Sequence, residues 1–440
     1  MTTMTILSPG VRRRTPMLAL LAAFVLTCFS PVSPATAADG DVQDQIDVLA
    51  EEIARLREEM AIPGTDEELR GAYGMGPAAS KVYGVSQGIS IGGYGEFYFA
   101  SPIEETDETG AVNTADFYRF IAYFGYKFTD DIIMNTELEF EHGTTGTVNG
   151  RSGSVSVEFA YLDFLLNERF NVRAGNLLLP VGFVNVMHEP PFYRGNFRPE
   201  IERRIIPSTW RELGAGAHGR LSDNVDYTAY LVNGLQGAEF GSKGVRGGRQ
   251  KGNRALWEDI AGVVQVRYDQ DGRYGVAASG YYGGADHNQL IGDATDSFDL
   301  TNWIAEAHGY LRGANFDVRA LFAMSGIDGA DDFLTATGSV IPERQIGWYV
   351  DVAYDISDVV LGPGATTRIS PWVRYEDFDL QDEVPDGATA DPSRAEQLLT
   401  LGLDVKPHPN VVLKGEYVHK SHDSDAARSD EVRVGAGFVF

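Results

Sequence analysis

The sequence predicts an all-β transmembrane fold: a 16-stranded antiparallel outer-membrane β-barrel, preceded by an N-terminal periplasmic coiled-coil helix. Two observations predict the barrel. Apolar and polar residues alternate over segments of about ten residues, and short and long connections alternate between those segments. The 440 residues include 50 glycines, 20 tyrosines and 23 phenylalanines. A barrel strand needs apolar residues on one face only, so this composition suits a membrane barrel.

Residues 1–37 are predicted to be a secretory signal peptide. Three arginines at positions 12–14 precede an apolar run at 17–29, and Ala35-Thr36-Ala37 offers a small-residue cleavage site. The only cysteine, Cys28, lies inside this segment, so the exported chain is expected to have no disulfide or thiol chemistry. Removing the three arginines changes the formal net charge from −27 to −30, which argues against nucleic acid as a partner.

Residues 38–62 are predicted to form a coiled-coil oligomerisation helix. Apolar residues stand at positions 42, 46, 49, 53, 56 and 60, which is the spacing of a heptad seam. Isoleucine at a and leucine at d favour two strands, but the seam is short. The alternative is one amphipathic helix lying on the barrel. Pro63-Gly64 ends the helix, and residues 63–87 are predicted to be a linker.

The barrel is predicted over residues 88–440. In the segment 132–141, Leu138 and Phe140 point to one face, and Glu137 and Glu139 point to the other. Sixteen such segments begin near residues 88, 116, 131, 154, 169, 213, 224, 258, 273, 300, 315, 344, 366, 396, 410 and 430.

Alternate connections are short turns, and the others are long polar loops. This arrangement is typical of an even-stranded outer-membrane barrel with turns in the periplasm and loops outside, and sixteen strands enclose an aqueous channel. A soluble two-sheet protein is the rival fold, but it does not explain the parity of the connections. The chain ends in an aromatic strand, "EVRVGAGFVF".

The third long loop, residues 180–212, is predicted to be a constriction loop. Residues 188–212, "HEPPFYRGNFRPEIERRIIPSTWRE", hold five arginines, four glutamates and four prolines. Irregular backbone at membrane depth is tolerated where protein covers it or where it lines a water-filled cavity. A loop stiffened by proline therefore has a place inside the barrel.

Several segments resemble the phosphate-selective porin O/P family and related trimeric Gram-negative porins. They are "GYGEFYF", "FYRFIAYFGYKF", "ELEFEHG", "VEFAYLDFLLNERFNVRAGNLLLPVGFVNVMHEPP" and "ERRIIPSTWRELGAG". The resemblance is firmest between residues 92 and 219. It implies a trimeric outer-membrane channel that passes small anions, with the third loop narrowing the pore.

Basic residues predicted to face the pore are the candidate anion-binding site. Four of them are placed inward by the alternation along the strands: Arg119, Arg173, Arg374 and Lys414. The other five lie in the third loop: Arg194, Arg198, Arg203, Arg204 and Arg211. Arginine presents a fork suited to phosphate and carboxylate. Ion pairs with neighbouring glutamates are the alternative for each of these residues.

The next long loop is predicted to be a basic extracellular loop. It carries Lys243, Arg246, Arg249, Lys251 and Arg254 without an acidic residue among them. Such a loop draws anions to the channel mouth or binds the phosphates of lipopolysaccharide. Other long loops are acidic, so a preference for cations remains an alternative.

Three further patterns are interpreted as carrying no chemistry. "GAGAHG" at 214–219 matches a dinucleotide motif without a following helix, His419 and His422 lack a third metal ligand, and no nucleophile elbow is present. The sequence therefore predicts no enzyme, no cofactor and no metal. It predicts a homo-oligomeric porin, a trimer, for passive diffusion of small hydrophilic solutes with a preference for anions such as phosphate or carboxylates. The alternatives are a general or cation-preferring porin, and a plugged barrel acting as a surface receptor or structural protein.

Overall fold

The computed structural model describes residues 72–103, 112–294, 298–313, 315–422, 424 and 429–440. The predicted signal peptide and coiled-coil helix lie outside the described residues. Sixteen antiparallel strands in the described chain form a closed barrel in which each strand pairs with its neighbours in sequence. The first strand also pairs with the last, from Tyr94 opposite Val439 to Pro102 opposite Glu431. The predicted barrel is confirmed.

The sixteen strands begin within two residues of the predicted positions. They are β1 (Gly88–Pro102), β2 (Thr114–Thr129), β3 (Ile132–Glu141), β4 (Ser154–Asn167), β5 (Phe170–Leu178), β6 (Arg211–Ser222), β7 (Val225–Asn233), β8 (Ile260–Gln270), β9 (Tyr274–Gly284), β10 (Thr301–Gly313), β11 (Phe316–Asp328), β12 (Arg344–Tyr354), β13 (Arg368–Glu383), β14 (Ala395–His408), β15 (Val411–His422) and β16 (Glu431–Val439).

Helices in the described chain are short. The α-helices are α1 (Pro77–Gly84), α2 (Ile201–Arg204), α3 (Ala330–Thr337) and α4 (Ser357–Val360). The 3-10 helices are Ala72–Gly74, Pro190–Phe192, Gly237–Glu239, Val245–Gly248 and Pro392–Arg394. None of the helices described is long and apolar enough to cross a membrane.

The two faces of the sheet differ as the alternation predicts. On β3, Asn135, Glu137 and Glu139 are buried inside the barrel, whereas Phe140 on the opposite face is 42% exposed. On other strands the outer face likewise presents large apolar side chains, including Leu401 and Val434. A large exposed apolar surface of this kind is typical of contact with lipid.

A helix occupies part of the predicted linker. Helix α1 packs against the inner face of β1, β2 and β3. Its Val82 side chain lies over Gly125, where an added Cβ would come within 2.6 Å of Val82 Cβ, and Asn135 Nδ2 donates to the carbonyl of Ala79 at 2.7 Å. Eight residues are too few for a stable isolated helix, so contacts with the wall account for its formation.

Candidate functional site

The third loop, residues 179–210, lies inside the barrel and is closed at its base by Asn185. Asn185 Nδ2 donates to the carbonyls of Leu179 (2.7 Å) and Trp210 (3.0 Å), and its Oδ1 accepts from the Trp210 N–H at 2.8 Å. Both Asn185 and Trp210 are fully buried. The loop ends two residues earlier than predicted, since Arg211 and Glu212 belong to β6.

Asn185→Leu is expected to lower the free energy of unfolding by about 1–3 kcal/mol, because it leaves the buried N–H of Trp210 without a partner. The carbonyls of Leu179 and Trp210 lose one hydrogen bond each but keep those from the N–H groups of Val181 and Leu179. The measurement is urea unfolding of the purified protein in detergent. Asn253→Leu is the matched control, since Asn253 is exposed on the next loop. Equal stability of the two variants would refute the role of Asn185 at the loop base.

Basic side chains of the barrel wall hold the middle of the third loop by its backbone. Five consecutive carbonyls, those of residues 191–195, accept hydrogen bonds from wall residues that we call the carbonyl clamp: Arg319, Arg374, Lys406 and Lys414. The Lys414 ammonium alone reaches two of them, at 3.1 Å from Tyr193 O and 2.7 Å from Gly195 O. Charged donors make the stronger class of hydrogen bond, so the clamp fixes the loop to β11, β13, β14 and β15.

Carboxylates of the wall accept hydrogen bonds from the same loop. The Gly182 N–H donates to Glu306 at 3.2 Å, and the Asn196 N–H donates to Glu416 at 3.2 Å. The Glu200 N–H donates to Glu376 at 2.7 Å. Wall residues of both signs therefore position the loop. Sequence reasoning identified Arg374 and Lys414 as facing inward but did not identify their partners.

Seven of the nine predicted anion-binding residues form ion pairs with carboxylates, and two of the seven, Arg203 and Arg204, share Glu200. The other five pairs are Arg119–Glu96 (2.9 Å), Arg173–Asp163 (2.7 Å), Arg194–Asp317 (3.0 Å), Arg211–Glu158 (2.9 Å) and Arg374–Asp351 (2.8 Å). All five arginines are buried. For these residues the structure shows the ion-pair alternative.

Arg203 and Arg204 are the most exposed of the predicted arginines in the third loop, with side chains 35% and 28% exposed. Both pair with Glu200 at 2.7 Å. Against the effect of burial, the two arginines lower the pKa of Glu200 to about 2. Arg198 is buried, and its Nε and Nη2 have no hydrogen-bond partner among the described residues.

The predicted basic loop divides into two groups. Arg246 and Arg249 fold onto the end of the third loop, whereas Lys243, Lys251 and Arg254 are exposed. Arg246 Nη1 donates to the carbonyls of Arg203 (2.8 Å) and Ser208 (2.5 Å), and Arg249 Nη1 donates to Ser208 O at 3.0 Å.

Arg246 and Arg249 have no carboxylate partner in the described part of the chain. Burial, together with the positive charges of Arg249 and Arg203, lowers the pKa of Arg246 to about 9. Burial and the charge of Arg211 lower the pKa of Arg249 to about 10. Both guanidinium groups remain protonated at neutral pH, so this end of the third loop carries a surplus of positive charge.

A cavity of about 1010 Å³ opens at the end of the barrel where the strands are joined by short turns. Asp131, Glu168, Asp223 and Asp271, from four successive short turns, contribute to its lining. A smaller cavity of about 90 Å³ shares several lining residues with it and reaches Pro180 and Phe183 of the third loop. The two cavities therefore adjoin each other, and the smaller one lies beneath the third loop.

The glycine-rich motif and the histidines noted in the sequence lie in regular strands. "GAGAHG" lies within β6, where no helix follows it, and His218 pairs with Asp163 at 2.8 Å. His419 contacts Asp430 at 2.9 Å on the exposed part of β15. Sequence reasoning missed the grouping of Glu137, Glu158 and His188, three potential metal ligands within 4.8 Å of one another.

Comparison with known proteins defines the class. Similar solved structures include the outer membrane channel DcaP of Acinetobacter baumannii, with a TM-score of 0.52 and 15% identity over 80% of this chain and 97% of that one. OmpT of Vibrio cholerae in its trimer form has a TM-score of 0.50 and 12% identity, covering 81% of this chain and 100% of that one. Salmonella typhi OmpF in complex with daunomycin has a TM-score of 0.50 and 13% identity, covering 81% of this chain and 98% of that one. The chain has the fold of outer-membrane barrel proteins.

No protein-family model matches the sequence. An uncharacterized protein of Aquifex aeolicus (strain VF5) is 34% identical over 401 residues, which cover 88% of this chain and 87% of that protein. The chain belongs to the same family as this Aquifex protein. Membership in the phosphate-selective porin O/P family stays a prediction.

Proposed function

We propose that the protein is an outer-membrane channel for passive diffusion of small hydrophilic solutes, with the third loop as its constriction. The fold supports this, and so do the two adjoining cavities, of which the larger opens at the short-turn end and the smaller lies against the third loop. Diffusion of this kind needs no cofactor and no catalytic step. In this proposal the short-turn end and the N-terminal segment ahead of residue 72 face the periplasm, and the outer face of the barrel contacts lipid.

A preference for anions such as phosphate or carboxylates is the second part of the proposal. One observation carries it: Arg246 and Arg249 bind backbone carbonyls rather than carboxylates, beside the half-exposed Arg203. Neither guanidinium forms an ion pair with a carboxylate of the described residues, and arginine suits both kinds of anion. Lys243, Lys251 and Arg254 are proposed to attract anions to the mouth or to bind lipopolysaccharide phosphates.

Assembly into a trimer through residues 38–62 is also proposed. The heptad spacing supports self-association, and the Vibrio cholerae OmpT structure similar to this chain is a trimer form. Residues 1–37 are proposed to be removed on export.

Stepwise conductance is expected when the purified protein is added to planar lipid bilayers. In a salt gradient the reversal potential is expected to have the sign of anion selectivity, and phosphate, sulfate and dicarboxylates are the competitors to compare. Failure to conduct at any protein load would refute the channel. A reversal potential of the opposite sign would refute the anion preference and favour the cation-preferring alternative, which the acidic residues of the large cavity support.

A plugged barrel is the second candidate function, because the carbonyl clamp fixes the third loop at five consecutive carbonyls. In that case the external loops would serve as a receptor or structural surface. Deletion of residues 188–210 distinguishes the two functions. A plugged barrel begins to conduct only after the deletion, whereas a constricted channel conducts before it and more strongly afterwards.

A further inference from the structure

Three potential metal ligands meet where the third loop contacts β3 and β4. His188 Nε2 lies 3.1 Å from Glu137 Oε1 and 3.5 Å from Glu158 Oε2. The side chains of all three residues are at most 1% exposed. Glu137 comes from β3, Glu158 from β4 and His188 from the loop, so the cluster joins the loop to the wall at a place that the carbonyl clamp does not reach.

A β-bulge turns Glu158 into this cluster. Glu137 is opposite Phe159, and the next residue, Leu138, is opposite Val157, so Glu158 has no partner in the ladder. Both Glu158 and Phe159 are consequently buried inside the barrel, although regular alternation would point one of them outward. Bulges that re-aim a side chain are frequent beside functional sites.

The imidazole of His188 is oriented as a metal ligand. Its Nδ1 lies 3.0 Å from the carbonyl of Asn185, a contact that requires Nδ1 to carry the hydrogen and leaves the Nε2 lone pair facing the two carboxylates. This arrangement, with the second ring nitrogen bonded to a backbone carbonyl, is the usual support of a metal-binding histidine. One oxygen of each carboxylate, Oε2, has no donor among the described residues.

Distances within the cluster match those of a small coordination sphere. Bonds of about 2.0–2.1 Å from a tetrahedral ion place neighbouring ligand atoms about 3.3–3.4 Å apart. The observed separations of 3.1 and 3.5 Å bracket this value. Three acceptor atoms this close together need either a proton or a metal ion between them, and their separations fit a metal ion.

We propose that Glu137, Glu158 and His188 bind a divalent transition-metal ion of the zinc type, which fastens the third loop to β3 and β4. A nitrogen and two carboxylate oxygens are ligands that zinc accepts, with a fourth position open to water. The ion would hold the loop on the side of the barrel opposite β11 to β15.

Metal binding is tested on the full chain, purified in detergent and stripped with a chelator, so the result does not depend on conductance. Equilibrium dialysis against Zn²⁺ with elemental analysis is expected to give one ion per chain, and Co²⁺ is expected to give the visible absorption of a tetrahedral site. His188→Gln and Glu158→Gln are expected to weaken binding at least about a hundredfold, more than the loss of an outer-shell partner. His419→Gln, a histidine outside the cluster, is the control and is expected to bind normally.

Folding of each variant is checked by its heat-dependent mobility in electrophoresis. If a cluster variant does not fold, X-ray absorption of the Co²⁺-loaded wild-type protein replaces it, and one nitrogen with two or three oxygen ligands is expected. Binding well below one ion per chain, or binding that the cluster variants leave unchanged, would overturn the proposal.

Discussion

Lys414→Met is expected to increase the single-channel conductance and to make it fluctuate between levels. The substitution keeps an unbranched side chain but removes the ammonium that holds the carbonyls of Tyr193 and Gly195. A buried hydrogen bond from a charged donor contributes about 1.5–3 kcal/mol. Loss of about 3 kcal/mol raises the fraction of channels with an undocked loop about a hundredfold. Single-channel recording in planar bilayers measures both effects.

Lys420→Met is the matched control for this experiment. Lys420 lies on the same strand and pairs with Glu431 at 2.7 Å, away from the carbonyl clamp. Its removal is expected to leave the conductance levels as in the wild-type protein. An unchanged conductance in Lys414→Met, in a variant that folds normally, would contradict the proposed role of the carbonyl clamp.

The barrel was predictable from the sequence because its pattern is local. A residue's side of the sheet follows from the period of two, so the inward position of Arg119, Arg173, Arg374 and Lys414 needed no knowledge of distant contacts. Phe140 on the outer face was predicted in the same way. The alternation of short and long connections then predicted the topology.

The partners of those residues were not predictable in the same way. Lys414 holds Tyr193, more than 200 positions earlier in the chain, and that contact depends on the path of an irregular loop. A local pattern contains no information about such a path. Helix α1 raises the same difficulty, because only its packing on the wall explains its formation.

The orientation of Glu158 could not be predicted from the sequence for a different reason. Alternation read backwards from Phe159 would place Glu158 on the outer face, and the bulge between β3 and β4 reverses this. A one-residue irregularity in the ladder was therefore enough to conceal the cluster with Glu137 and His188. The arginines of the third loop are evident in the sequence as a group, but Glu200 and the other carboxylates decide which of them keep an unbalanced charge.

The double substitution Arg246→Gln with Arg249→Gln is expected to abolish most of the proposed anion preference. Glutamine preserves a side chain that can donate to the carbonyls of Ser208 and its neighbours, so the change is mainly one of charge. A unit charge about 5 Å from a passing ion changes its energy by about 0.8 kcal/mol in water. Two such charges favour an anion by about 1.7 kcal/mol and disfavour a cation equally, so their loss alters the ratio of anion to cation permeability on the order of a hundredfold before screening by salt.

Reversal potentials in a salt gradient measure this ratio, and Lys243→Gln with Arg254→Gln is the matched control. These two residues belong to the same loop and carry the same total charge, but they are exposed. Their effect is expected to be small and to disappear at high salt, because exposed charges are screened within about 10 Å at 0.1 M. The buried pair beside the third loop is screened less, so its effect should persist at high salt. If both pairs change the reversal potential equally, the selectivity arises at the mouth and not at the constriction.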